Sequence, residues 1–436
     1  MRPPAAHRTT RAHLQAAYPF VAEGGLPCSR VYIGRDLFGS SFVFDAWQLY
    51  ERKILTCLNL LVLGMIGRGK SALVKSLLAR SILHGVHGVA FDVKGEYGPL
   101  ARAFGCEPIR LAPGGRLRLN PLDPRSSERD QAELVEALAA TALARPLRPE
   151  ERTTLELALA EARHRSGGEA TLPHVVGALL DPSPDMAAAI RTTPDAMAAS
   201  AREVALELRR LCDGALAGMF DGPTSASVDF AAPLVVVDLS AVYHSPALPV
   251  VMTCVAAWLQ AALSADDGAR RMVVMDESWR MFSHLAIAAW MQQSFKLARS
   301  TGTMNVLVMH RLSDLGAAGA AGSHQVRLAE GLLSDVETRV VYGQPPSEVE
   351  SARELLGLSD TEARLLPNLP RGQALWKVGT RSFLVEHRLS PTEAALVDTD
   401  ARMGARGGQA PLADSPRRDR GGRALGTEPA EPALCD

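Results

Sequence analysis

Residues 61–74, LVLGMIGRGKSALV, pass from an apolar run through a glycine-rich turn into a second apolar run. From Gly64 to Ser71 the turn spells G-x-x-x-x-G-K-[ST]. Each position has a chemical reason. The glycines let backbone N–H groups turn inward around an anion, the lysine reaches terminal phosphates, and the final hydroxyl can ligate Mg²⁺. The segment that follows, SALVKSLLARSILHG, repeats at helical spacing, so a helix N-terminus is aimed at the same anion. The expected nucleotide-binding residues are therefore Gly64, Met65, Ile66, Gly67, Arg68, Gly69, Lys70, Ser71 and Ala72. ATP is the expected ligand, Mg²⁺ the expected cofactor, and Lys70 also a catalytic group.

Outward from this turn, short apolar runs alternate with helical segments: LNLLVLG, GVAFD, PIRLA, PLVVVD, RMVVMDE, MNVLVMH, TRVVYG, then the pair QALWKVG and RSFLVEH. Such alternation implies an α/β fold with a largely parallel sheet. Before it, RVYIGRDLFGSSFVFDAW alternates apolar and polar residues around Gly39, as a hairpin does. Between 125 and 230 the rhythm changes: DQAELVEALAATALA, PEERTTLELALAEARHR and DAMAASAREVALELRRLCDGAL all carry helical periodicity. The expected organisation is a flexible N-terminus at 1–30, a first part of the core at 31–124 and an all-helical insertion at 125–230. The second part of the core follows at 231–390, and a Gly-, Arg- and Pro-rich disordered tail at 391–436.

A Mg²⁺-bound phosphate loop needs an acid at the end of another buried strand. Asp92, Asp238 and Asp276 all end such runs, but only RMVVMDES places a Glu directly after the Asp. Asp276 is the expected metal acid, and Glu277 the base that accepts a proton from the attacking water. A paired Asp-Glu favours hydrolysis over transfer to a small substrate, hence a motor-type NTPase. His310, ending MNVLVMH, stands where related motors sense the γ-phosphate. Arg299 and Arg339, just before or at the start of late strands, are alternative arginine fingers for a neighbouring subunit.

The bulk composition narrows the rest. The chain has 436 residues, 47% of them hydrophobic, and a net charge of −1, so no global basicity advertises nucleic acid or an anionic membrane. Its 6 cysteines show no CxxC spacing and read as reduced thiols. MRPPAAHRTTRAH lacks the apolar core of a signal peptide. Residues 247–265, ALPVVMTCVAAWLQAALSA, carry no charge over the length of a membrane span. They lie between two apolar runs of the same expected sheet, so they read as a buried crossover helix, with no integral membrane span.

The motif order adds a resemblance. GMIGRGKS, FDVKGEYGPLA, RLNPLD, FDGPTSASVDFAAPLVVVDLS, VVMDESWRMF and LVMHRLSDL follow one another as in conjugative-transfer ATPases. Over residues 30–390 the chain resembles the TraC-like type IV secretion ATPases of the FtsK/HerA superfamily, in a short actinobacterial form. The resemblance implies a RecA-like P-loop core, a cytoplasmic homohexamer peripheral to the inner face of the membrane, and secretion or conjugation subunits and DNA as partners. It implies that Lys70 and Ser71 serve the phosphate loop, that Asp276 and Glu277 serve metal and water, and that Arg299 matches the arginine before the last motif. Asp92, Lys94 and Glu96 match a box whose carboxylates lie near the nucleotide. Two departures stand out: His310 replaces the family's usual Gln, and the large N-terminal docking domain of longer members has no counterpart here. The implied function is ATP-driven DNA or protein transfer; the alternatives are a HerA-like DNA translocase or helicase, and an ATP-gated structural assembly platform.

Overall fold

A computed structural model describes residues 25–214, 216–225, 228–229, 232–245, 248–263, 268–278, 285–314 and 324–397. The expected flexible residues 1–24 and tail residues 398–436 lie outside this description.

The organising strand is β3, Leu60–Leu63, in which every side chain is buried. A strand covered on both faces reads as an unbroken apolar run, which is why LLVL shows no alternation. Leu61 and Leu63 enter one hydrophobic core, Leu60 and Val62 the other. Around β3 the elements run β1 (Tyr32–Asp36), β2 (Ser41–Val43) and α1 (Ala46–Glu51) before it. After it come α2 (Lys70–Ile82), β4 (His87–Asp92), α3 (Gly98–Ala103) and β5 (Ile109–Arg110). Then the chain is helical: α4 (Glu128–Leu143), α5 (Pro149–Arg165), α6 (Leu172–Leu180), α7 (Pro184–Ala189) and α8 (Pro194–Asp213). Strands resume with β6 (Leu234–Asp238), α9 (Leu248–Leu263), β7 (Arg271–Met275), α10 (Leu285–Leu297) and β8 (Thr303–Met309). The last segment holds α11 (His324–Ser334), β9 (Thr338–Tyr342), α12 (Val349–Leu355), α13 (Asp360–Leu365), β10 (Gln373–Val378), β11 (Arg381–His387) and α14 (Pro391–Val397).

All strands join one 11-stranded sheet in the order β2-β1-β11-β10-β9-β3-β8-β7-β4-β6-β5. From β9 to β5 every pairing is parallel. The flank from β2 to β10 is antiparallel, made of two hairpins, and β10 joins β9 antiparallel. The expected largely parallel α/β sheet is thus present, with a mixed edge. The β1–β2 turn is pinned by Asp36, whose Oδ1 accepts from the Phe38 and Ser40 amides. Helices α1, α2 and α3 cover one face, and α4–α6 and α8–α12 the other.

Helix α9 connects β6 to β7 and packs on α4 and α10, as a crossover between strands of one sheet must. Among the described residues no helix is long and apolar enough to cross a membrane. Residues 391–397 depart from the expected disordered tail: they form α14, because Glu393 pairs with Arg80 of α2 and caps back to the Ser390 amide. Within the helical stretch Glu151, fully buried, is clasped by Arg145 and Arg148 and also accepts from the Arg148 amide, fixing the start of α5. The RLNPLD segment is likewise architectural: the Asn120 side chain donates to Ala170 O, and Asn120 N donates to Thr224 Oγ1 of the FDGPTS segment.

Candidate active site

Because β3 is parallel to both neighbours, Leu63 lies beside Met309 of β8 and Val341 of β9, and the ends of the three strands flank one loop. Gly64 N donates to Met309 O and Met65 N to Gly343 O, each at 3.3 Å. A Cβ on Gly64 would stand 2.5 Å from the Cβ of Tyr342, so only glycine fits there. Gly69 closes the turn at φ +108 and caps α2, a conformation that side chains resist. Arg68 ties the loop's outer side to the segment before β10, donating to Leu369 O at 3.2 Å while its own carbonyl accepts from Gly372 N at 3.0 Å.

Among the described residues, the N–H groups of Ile66, Gly67, Arg68 and Gly69 find no hydrogen-bond acceptor. Four consecutive orphan donors ahead of a helix N-terminus are what a polyphosphate would satisfy. Lys70 is buried at 4% exposure, its Nζ folded onto Gly64 O, Met65 O at 3.0 Å and His310 Nδ1 at 2.9 Å. Burial lowers its ammonium to about 8 against the pull of Asp276 and Glu277. Ser71 follows in the first turn of α2, half-buried.

The ammonium of Lys70 can only donate, so His310 Nδ1 accepts and the ring proton sits on Nε2. Nε2 then donates to Glu277 Oε1 at 2.6 Å. The same Oε1 takes an ion pair from Lys94. One connected chain thus runs Lys70–His310–Glu277–Lys94, drawn from four different strand ends. Burial pushes the Glu277 carboxyl up, but His310 and Lys94 outweigh it and hold it at about 2. Asp276 goes the other way: wholly buried and beside the Glu277 charge, it is raised to about 6. Consecutive carboxylates can face the loop because the chain turns at the end of β7, with Glu277 in the left-handed region at φ 55. For a non-glycine residue that conformation costs on the order of 1–3 kcal/mol.

In the DVKGEY box both carboxylates have partners within the protein. Asp92 is buried and its oxygens accept from the amides of Lys94, Glu96 and Tyr97, so it shapes the loop that presents Lys94. Glu96 pairs at 3.6 Å with Lys75, which is buried at 1% exposure with its ammonium 5.1 Å from the Tyr97 ring centre. Asp238 pairs with Arg110 and caps Ser240 N, away from this chain of contacts. Of the two arginines, Arg339 is half-buried and its guanidinium donates to Leu356 O and Ser334 O of its own chain, which commits it to architecture. Arg299 is exposed in the turn between α10 and β8, at the sheet edge opposite the loop. Trp279–Phe282 of the VVMDESWRMF segment lie outside the described residues.

Two features escaped the reading by residue. Lys75 is a lone cation in the apolar run ALVKSLLA, and that misfit with its surroundings was the available signal. Gln344, at the end of β9 beside the loop, is 1% exposed with neither amide atom hydrogen-bonded among the described residues. No local pattern marks it.

Comparison with known proteins now bears on this geometry. Residues 58–242, from β3 through β6, match the family model described as "Helicase HerA, central domain". That stretch of the chain is similar to the HerA central domain. A comparison with curated proteins gives no match. Among solved structures, VirB4 of Thermoanaerobacter pseudethanolicus is 22% identical, with a TM-score of 0.69 over 85% of this chain and 100% of that one. The bacterial conjugative coupling protein TrwB, lacking its first 70 residues, is 16% identical, with a TM-score of 0.55 over 86% of this chain and 91% of its own. TrwB in complex with ADP and Mg²⁺ is 15% identical, with a TM-score of 0.53 over 86% and 92% of the two chains. The matched residues lie within a mostly parallel α/β fold that is similar to the folds of VirB4 and TrwB.

Proposed function

We propose that this chain is an ATP hydrolase that assembles as a homohexameric ring and powers DNA or protein transfer through a conjugative or type IV secretion-like apparatus. The observation that carries the reading is the junction of the orphan N–H groups of residues 66–69 with the Lys70–His310–Glu277 chain and Asp276. In this reading the loop amides and Lys70 bind the phosphates, Lys70 leaving the carbonyls of Gly64 and Met65 to do so. The Ser71 hydroxyl and Asp276 would hold Mg²⁺, which when bound neutralises charge on the phosphates. Glu277 takes the proton of the attacking water, and His310 holds Glu277 in register with Lys70.

Arg299 cannot serve its own loop from the opposite sheet edge. Head-to-tail packing in a ring would set it against the next subunit's nucleotide, as a finger in trans. Residues 31–124 and 231–390 then make the motor core, with 125–230 as an appended helical domain. The fold shared with VirB4 and TrwB supports a place at the cytoplasmic face of a membrane-bound transfer complex, with its subunits and DNA as partners.

The test is ATP hydrolysis by the purified chain against protein concentration, with and without single- and double-stranded DNA, beside Lys70→Ala. A cooperative rise with concentration that the substitution abolishes supports the ring ATPase, and stimulation by DNA assigns the cargo. Measurable ATP binding with no turnover at any concentration overturns it.

A further inference from the structure

We propose that Lys94 is a positioning residue that latches Glu277 in an inactive setting, so that hydrolysis requires Lys94 to withdraw; this rests on the ATP hydrolase reading above. A general base must offer a lone pair to the water it deprotonates, and it works best when its basicity is near the operating pH. Glu277 Oε1 is already bonded by two donors, the Lys94 ammonium and His310 Nε2.

The two partners differ in how they can leave. His310 is tied through Nδ1 to Lys70, and so responds to whatever draws the Lys70 ammonium away. Lys94 makes no second side-chain hydrogen bond among the described residues, although the charges of Asp276 and Glu96 also attract it: its side chain is 39% exposed, on the loop that follows β4, whereas that of Glu277 is only 4% exposed. The Asp92 carboxylate fixes the loop through the Lys94 amide, but leaves the lysine stem free to swing into solvent. A buried base held by a half-exposed cation has the parts of a latch. The left-handed backbone at Glu277 adds to it, since that strained turn aims the carboxylate at the latch.

The experiment is steady-state ATP hydrolysis by wild type, Lys94→Met, Lys94→Arg, Glu277→Gln and the Lys94→Met/Glu277→Gln pair, with melting curves to confirm that each is folded. Lys94→Met is expected to raise kcat about three- to tenfold with KM for ATP unchanged, because Glu277 Oε1 is then open to the attacking water. Lys94→Arg should restore the wild-type rate, and the double variant should be as slow as Glu277→Gln. A kcat unchanged or lowered in a folded Lys94→Met, while wild type turns over and depends on Glu277, overturns the latch alone. Lowered kcat would make Lys94 a group that stabilises the reacting phosphate. If neither wild type nor Lys94→Met turns over, both the latch and the hydrolase reading fail together.

Discussion

Two buried glutamates, one in the helical layer and one at the carboxyl edge of the sheet, meet similar chemistry and serve different ends. Glu151 is held by Arg145 and Arg148, and its backbone amide partner closes a capping arrangement on α5. Glu277 is held by Lys94 and His310. Both carboxyls sit below the ordinary range, Glu151 through Arg145 above all. The difference lies in commitment. Around Glu151 the backbone is helical, and forked guanidiniums hold both oxygens, an arrangement in which moving one partner exposes the rest. Around Glu277 the backbone is strained, one partner is a single flexible ammonium, and the preceding residue, Asp276, is pushed the opposite way. A structural ion pair is finished; a reactive one is left able to rearrange.

Several substitutions would break or sharpen this contrast. The largest effect is expected at Arg299: Arg299→Ala should lower turnover of the assembled ring by about 10³-fold or more while leaving ATP affinity alone. Its companion Arg339→Ala should instead lower the melting temperature, and turnover per folded molecule should hold. Next comes Glu277→Gln, with a loss of about 10²- to 10³-fold in kcat and an undiminished melting temperature, read from the same preparations.

Asp276→Asn should stabilise the nucleotide-free protein at pH 7–8. The sign follows from linkage: burial and Glu277 raise the folded carboxyl from 3.8 to about 6, so the folded state holds its proton more tightly. Stability is therefore lost as pH rises through that window, and removing the charge restores it. Melting curves at pH 4, 6 and 8 check it, the gain from Asp276→Asn vanishing at the acid end. The smallest effect is expected from Glu151→Gln, a drop of a few degrees in melting temperature with ATP turnover unchanged. Because that carboxyl is held below 4.5, its contribution is present above this pH and fades on acidification, opposite in sign to Asp276.

Much of this was legible in the sequence, for identifiable reasons. The strand–turn–helix around Lys70 is local, so periodicity and turn chemistry were enough to expect it. The Asp-Glu pair after RMVVM was legible because a strand end and two acids are adjacent in the chain. The crossover helix at Leu248–Leu263 followed from the two apolar runs that bracket it. What could not be read is whatever depends on strands meeting across the sheet. Lys94 and Glu277 are far apart in sequence and touch because β4 and β7 are neighbours. Arg339 reads as an available cation until the carbonyls of Ser334 and Leu356 are seen to hold it. That Asp92 accepts from the amides of its own loop is likewise seen only once the chain is folded.

The antiparallel flank has a consequence for how the molecule is made. Arg68 in the phosphate loop is bonded to Leu369 and Gly372, β11 pairs with β1, and α14 locks onto Arg80 at the far end of the loop's own helix. The ribosome therefore delivers the loop some three hundred residues before it delivers the chain that closes over it. A nascent or truncated chain ending before β10 carries the complete nucleotide motif without the roof that holds it. Synthesis must therefore reach β10 before the loop gains the contacts that Leu369 and Gly372 make with Arg68.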